Sequence, residues 1–125
     1  MSDKRKVIAD GMKELGLNYA FMEWNKDPVY PYFTGEYQES EPYTEDGLQE
    51  STFILNGFSR RSIYELEKAK DAIAAYFHPI SGKTAMAADG SAIAVFYGDS
   101  FFIREEDAEL KRIQINLTVK EWKVM

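Results

Sequence analysis

The chain has 125 residues and a formal net charge of −6 at pH 7, with a pI near 4.8. This length predicts a single domain, residues 1–125, that can bury a hydrophobic core without the help of covalent cross-links. The absence of cysteine excludes disulfides, thiolate metal sites and a cysteine nucleophile, and is compatible with a reducing cytosol. The negative net charge argues against a domain that binds nucleic acid through contacts with its phosphates.

Residues 1–6 are basic but precede no long apolar run, so we expect neither a signal peptide nor a membrane helix. Aromatic residues make up 14% of the chain, and eight of them are Tyr. Tyr is favoured at protein interfaces, so this excess indicates contacts with other subunits.

The first predicted element is a short helix over residues 3–15, because Ile8, Met12 and Leu15 recur at helical spacing and Gly16 follows as a stop. Residues 18–24 are predicted to form a strand, with Tyr19, Phe21 and Glu23 on one side and Ala20, Met22 and Trp24 on the other. A second, aromatic strand is predicted over residues 29–37. Because Pro31 cannot donate to a ladder, we expect that strand to lie at a sheet edge or to carry a bulge.

Residues 36–50 contain carboxylates but no Lys or Arg. Two interpretations stay open: a solvated acidic loop, or an extended hairpin arm that presents one sign of charge to a partner or a channel. The candidate residues of this acidic arm are Glu36, Glu39, Glu41, Glu45, Asp46 and Glu50.

The middle of the chain predicts a strand over residues 52–58 followed by a helix that begins at Ser62. Ser62 and Glu65 have the spacing of a capping box, in which each side chain bonds the backbone N–H of the other residue. One apolar face of this helix is predicted from the spacing of its hydrophobic residues. That face comprises Ile63, Leu66, Ala69, Ile73 and Phe77.

Three short strands are predicted next, over residues 84–88, 92–97 and 101–103. Asp89-Gly90 and Gly98-Asp99 have the composition of two-residue hairpin turns between them. The simplest topology is therefore a meander.

The last predicted strand, residues 110–119, alternates between apolar and polar side chains, which indicates one buried and one solvent-exposed face. Beyond Lys120 this alternation inverts, so that Trp122 and Val124 fall on the formerly polar side. Either a bulge or a tail that packs on a neighbouring subunit would account for the inversion. The pattern as a whole predicts an α+β fold, an antiparallel twisted sheet with two helices packed on one face.

No motif predicts catalysis, a cofactor or a metal. The run Ser81-Gly82-Lys83-Thr84 resembles the end of a phosphate-binding loop, but it lacks the upstream glycine and the strand-loop-helix context. His78 is the only histidine and has no second ligand at metal-binding spacing. We therefore expect it to lie at the end of a helix.

The order of features resembles the tail terminator, or tail completion, proteins of long-tailed bacteriophages and prophages. The resemblance lies in the short N-terminal helix, the Pro31-Tyr32 pair entering a strand, the acidic arm, the strand and capped helix of residues 53–77, and the closing strands.

The resemblance implies a non-enzymatic virion protein, assembled in the bacterial cytoplasm and located at the head-proximal end of the tail. Such proteins form a ring, usually a hexamer, that ends polymerisation of the tail tube protein and meets a head-completion or connector protein. DNA would pass through without specific binding, and subunit contacts are expected from Tyr32, Tyr37, Tyr43, Trp122 and Val124. The alternatives are a head-closure, adaptor or minor capsid protein, or a small hydrolase or nucleotide-binding enzyme that uses His78 and residues 81–84.

Overall fold

A computed structural model describes residues 3–38 and 44–123 of the chain. It contains two helices and six strands. In chain order they are α1 (Asp3–Glu14), β1 (Asn18–Phe21), β2 (Tyr32–Tyr37), β3 (Leu48–Ser59), α2 (Ile63–Tyr76), β4 (Lys83–Met86), β5 (Ala92–Arg104) and β6 (Lys111–Trp122). The predicted α+β fold is confirmed.

The strands form one sheet in the order β1-β2-β3-β6-β5-β4. All pairings are antiparallel except that of β1 with β2, which is parallel. The prediction of a wholly antiparallel sheet is therefore wrong at this end. A ten-residue connection between Phe21 and Tyr32 leaves enough chain for β2 to start again in the direction of β1, which a tight hairpin could not do.

The hydrophobic core lies against one side of the sheet, here called the core face, which carries Phe33, Phe53, Leu55 and the alternating apolar residues of β6. Ile8 and Met12 of α1 and Leu66, Ala69 and Ile73 of α2 belong to the same buried cluster. The opposite side, the open face, carries Thr52, Asn116 and Lys120. This division follows from strand periodicity, because alternate residues point to opposite sides.

The end of α1 and the start of α2 lie where the sequence predicts them. Gly16 has a φ of 74°, and the N–H groups of Gly16 and Leu17 donate to the carbonyls of Lys13 and Met12, which closes α1. Ser62 caps α2 by accepting the N–H of Glu65 at 3.2 Å. The Glu65 carboxylate does not complete the box, because it accepts the Ser59 hydroxyl at 2.7 Å.

Three expectations for this half of the chain are wrong. Ile63 is 43% exposed, so the buried face of α2 begins at Leu66. Pro31 causes neither an edge nor a bulge: β2 starts one residue after it and lies between β1 and β3. The first strand is also shorter than predicted and ends before Met22, whose φ of 71° is incompatible with a strand.

The predicted turn at Gly98-Asp99 is absent, and β5 runs unbroken through both residues. Its register against β6 shifts between Tyr97 and Asp99, so Gly98 is the extra residue of a β-bulge. A Cβ at Gly98 would lie 2.8 Å from the carbonyl oxygen of Asn116. The glycine therefore allows close approach between two paired strands. The turn containing Asp89-Gly90, by contrast, does join β4 to β5.

The polarity inversion near the C-terminus needs no bulge, because β6 keeps its register with β3 from Lys111 to Trp122. Glu121 is consequently on the core face and only 9% exposed. The ammonium of Lys4 lies 3.6 Å from its carboxylate and compensates the buried charge. No helix in the described part of the chain combines the length and apolar character needed to span a bilayer.

Candidate assembly surfaces

The carboxylates of the predicted acidic arm are divided between strands and a turn. Glu36 lies on β2 and Glu50 on β3, both exposed and both on the open face. Glu45 and Asp46 are exposed in the turn that leads into β3. Glu39 and Glu41 fall outside the described residues.

Two of these carboxylates have partners that affect their charge. Asp46 accepts the hydroxyl of Thr44 and the N–H of Leu48, and these bonds lower the pKa of its carboxyl. The ammonium of Lys120 lies 3.6 Å from a carboxylate oxygen of Glu50 and partly neutralises it. Because both groups of that pair are well exposed, the pair adds little stability.

Tyr32 belongs to a cluster of aromatic rings on the open face. Its ring centroid lies 5.1 Å from those of Phe58 and Trp24 and 5.6 Å from that of Tyr30. The pKa of Tyr32 is raised, mainly by burial and to a smaller extent by the neighbouring Tyr30. The Arg112 guanidinium lies 5.7 Å from the Phe58 ring. Closely packed Tyr, Trp and Arg at a surface is the composition of interface hot spots.

The other predicted interface residues lie elsewhere. Tyr37 is on the core face, where its ring meets Phe53 edge-on at 5.1 Å and Phe21 at 6.4 Å. Trp122 ends β6 on the open face and is 39% exposed, opposite Leu48 and Ala92. Tyr43 and Val124 lie outside the described residues. The structure thus separates a Tyr32 cluster from Trp122 at opposite ends of the strands.

The sequence did not single out the exposed apolar residues at the far end of β5. Phe101 is 49% and Phe102 42% exposed. Phe102 also lines a groove of about 630 Å³, together with Ile63, Arg104 and Leu110 among others. The expectation of a turn at Gly98 concealed these residues, because it broke one long strand into two short ones.

His78 and the run at residues 81–84 have local structural roles. The Nδ1 atom of His78 accepts the N–H groups of Ile80 and Ser81 at 3.1 and 3.3 Å, just after the end of α2. The ammonium of Lys83 lies 4.7 Å from the Tyr76 ring. Residues 3–38 and 44–123 contain no cluster of three or more His, Cys, Asp or Glu side chains that could hold a metal ion.

Comparison with known proteins gives a match in structure alone. No family model and no curated protein matches the sequence. A chain of a solved structure described as the virion of a native gene transfer agent particle superposes with a TM-score of 0.60 at 11% sequence identity. The match covers 92% of this chain and 86% of that one. The two chains share a fold.

Proposed function

We propose that this protein is a structural component of a virion, and specifically a tail terminator. In this role it forms a ring, of hexameric order, on the head-proximal end of the tail tube. The ring ends tube polymerisation and presents the surface that a head-completion or connector protein joins.

The observation that carries the assignment to a virion is the fold shared with a chain of a gene transfer agent virion over 92% of the present chain. The narrower assignment to a tail terminator rests on the order of elements along the sequence. Each argument uses nearly the whole chain, so neither depends on a single motif.

The charge of the chain suits a channel through which DNA passes. Glu36, Glu45 and Asp46 are exposed at the end of the sheet where β2 and β3 are joined. These carboxylates are ionised at neutral pH, as exposed Asp and Glu side chains ordinarily are. Carboxylates facing the channel would repel the phosphate backbone and let DNA pass without sticking.

Subunit contacts are assigned to the Tyr32 cluster and to Trp122. Tyr32, Trp24 and Tyr30 form a packed aromatic surface with an adjacent arginine, and Trp122 is a large exposed ring. Tyr37 is a weaker candidate than Tyr32 or Trp122, because its ring lies on the core face against Phe53 and Phe21.

A different neck component is the nearest rival function, since a head-closure or adaptor protein would share the virion location and the absence of catalysis. The enzyme alternative is disfavoured by the local roles of two of its five residues: His78 accepts backbone N–H groups, and Lys83 lies over an aromatic ring.

Light scattering coupled to size-exclusion chromatography tests the ring. The expected result is a ring-sized oligomer that persists or grows with protein concentration. A strict monomer at every concentration would count against the terminator. Titration with ATP and GTP on the same preparation tests the enzyme, and tight binding would favour that alternative.

A further inference from the structure

The sheet has a strand edge without a partner at each of its two ends. β1 is the terminal strand at one end, and within the described residues only β2 pairs with it. At the other end β4 pairs with β5 only over Ala92 to Val95. Beyond the N–H of Tyr97, which donates to the Phe77 carbonyl, β5 has β6 as its only described strand partner.

These two edges lie at the same level along the strands. Tyr19 pairs with Phe33, which pairs with Gly57, and the ladder continues through Ile113 to Phe102. The same reasoning applies to each residue of β1. Across the sheet, Asn18, Tyr19, Ala20 and Phe21 are level with Ile103, Phe102, Phe101 and Ser100.

Between the bulge at Gly98 and the charged residue Arg104, the β5 edge contains a segment without charge or proline. Residues 100–103 read Ser-Phe-Phe-Ile, without a charge or a proline, and both Phe side chains are more than 40% exposed. Open strand edges are normally shortened, charged or covered, because their unpaired N–H and C=O groups template pairing with another chain. An edge with this composition is suited to a strand partner.

We propose that this partner is a second copy of the chain: residues 100–103 of one copy pair with β1 of the next, so that the sheet continues across the subunit boundary. The proposal rests on the ring of the proposed function and assigns its lateral contact. β1 and β5 run in opposite directions, so the pairing is antiparallel.

The equal level of the two edges favours a closed ring. A contact between different surfaces closes only when the operation relating the copies is a rotation without translation, and otherwise builds a filament. The faces match as well. Tyr19 and Phe102 both lie on the core face, and Ala20 and Phe101 both lie on the open face.

Charge complementarity supports the choice of a second copy. All charged residues in the connection after β5, residues 105–110, are acidic. Among them, Glu106 and Glu109 make no ion pair with any described residue. On the other side of the contact, Lys13 lies in the last turn of α1, shortly before Asn18, and is likewise unpaired in the described part of the chain. Because Asn18 is level with Ile103, Lys13 of one copy and the acidic connection of the next lie at the same end of the proposed interface.

Disulfide crosslinking tests this register, and the natural chain contributes no cysteine of its own. The double variant A20C/F101C places two thiols in directly opposed positions, within the Cα separation that a disulfide accepts. The matched control is A20C/F102C, whose thiols lie on opposite faces. Each preparation is first checked for fold by circular dichroism and for mass by native mass spectrometry, then oxidised and run on a non-reducing gel.

The expected result is a ladder of covalent multimers up to the ring size from A20C/F101C and monomer from the control. An equimolar mixture of the single variants A20C and F101C should give only dimers, because each chain then carries one thiol. If the unoxidised protein is a ring and no ladder forms, or the control forms an equal one, the edge pairing is wrong while the ring survives. A monomer without crosslinks would contradict both.

Discussion

Truncation of Leu66 to alanine tests the packing of α2 on the sheet. Leu66 is fully buried in the same cluster as Phe53, Ile73 and Ile115. Removing a buried leucine side chain costs its transfer free energy and leaves a cavity, which together amount to about 2–5 kcal/mol. For a chain of this size 1 kcal/mol shifts the melting temperature by about 4 °C, so the expected fall is roughly 8–20 °C.

Ile63 on the same helix provides the control. Its side chain is 43% exposed, so Ile63→Ala should lower the free energy of unfolding by about 1 kcal/mol or less. Urea unfolding of both variants, followed by circular dichroism, measures the difference. Equal losses, or no loss from Leu66→Ala, would refute the assignment of the buried helix face.

Further predictions concern the cap, a tyrosine and the acidic arm. Ser62→Ala should cost about 0.5–2 kcal/mol in urea unfolding, whereas Ser62→Asp should retain most of the cap, and identical losses would mean that the bond to Glu65 contributes nothing. Burial and the Glu14 carboxylate, which accepts its hydroxyl at 2.8 Å, raise the pKa of Tyr76 from 10.0 to about 12. The stability that this shift contributes is therefore full below pH 10 and is lost as the pH rises to about 12, because the unfolded chain deprotonates first. In an absorbance titration referenced to Tyr76→Phe, Glu14→Gln should lower this pKa, and an unchanged pKa would contradict the role of Glu14. Replacing Glu39, Glu41 and Glu45 together by Lys should leave folding intact but lower the yield of infectious or transducing particles, and an unchanged yield would dispose of the acidic channel.

The elements with strong local patterns could be predicted from the sequence. β6 alternates residue by residue, and its apolar side chains from Ile113 to Val119 are buried. The start of α2 is set by the Ser62 cap, and the end of α1 by Gly16. In each case the deciding interactions span only a few residues, which is the range over which sequence patterns are informative.

Gly98-Asp99 has the composition of a hairpin turn, but composition cannot distinguish a turn from a bulge. That choice depends on the close approach of Asn116, which is remote in sequence. The direction of β2 likewise depends on pairing with β1 across a ten-residue connection.

The candidate surfaces illustrate the same limit. The acidic residues could be picked out by composition, but their division between the open face and a turn required the strand register. The burial of Glu121 depends on Lys4, more than a hundred residues away in the chain. The β5 edge became visible only when the strand pairing showed that β4 covers no more than Ala92 to Val95 of β5 and that residues 100–103 are level with β1.

Electron microscopy of particles made without this chain tests the central claim most directly. If the chain is a tail terminator, particles made without it should have tails that grow beyond their normal length and carry no heads. Supplying the chain in trans should restore the normal length. Tails of normal length beside unjoined heads would instead indicate another neck component. Complete particles of normal yield would contradict a role in virion assembly.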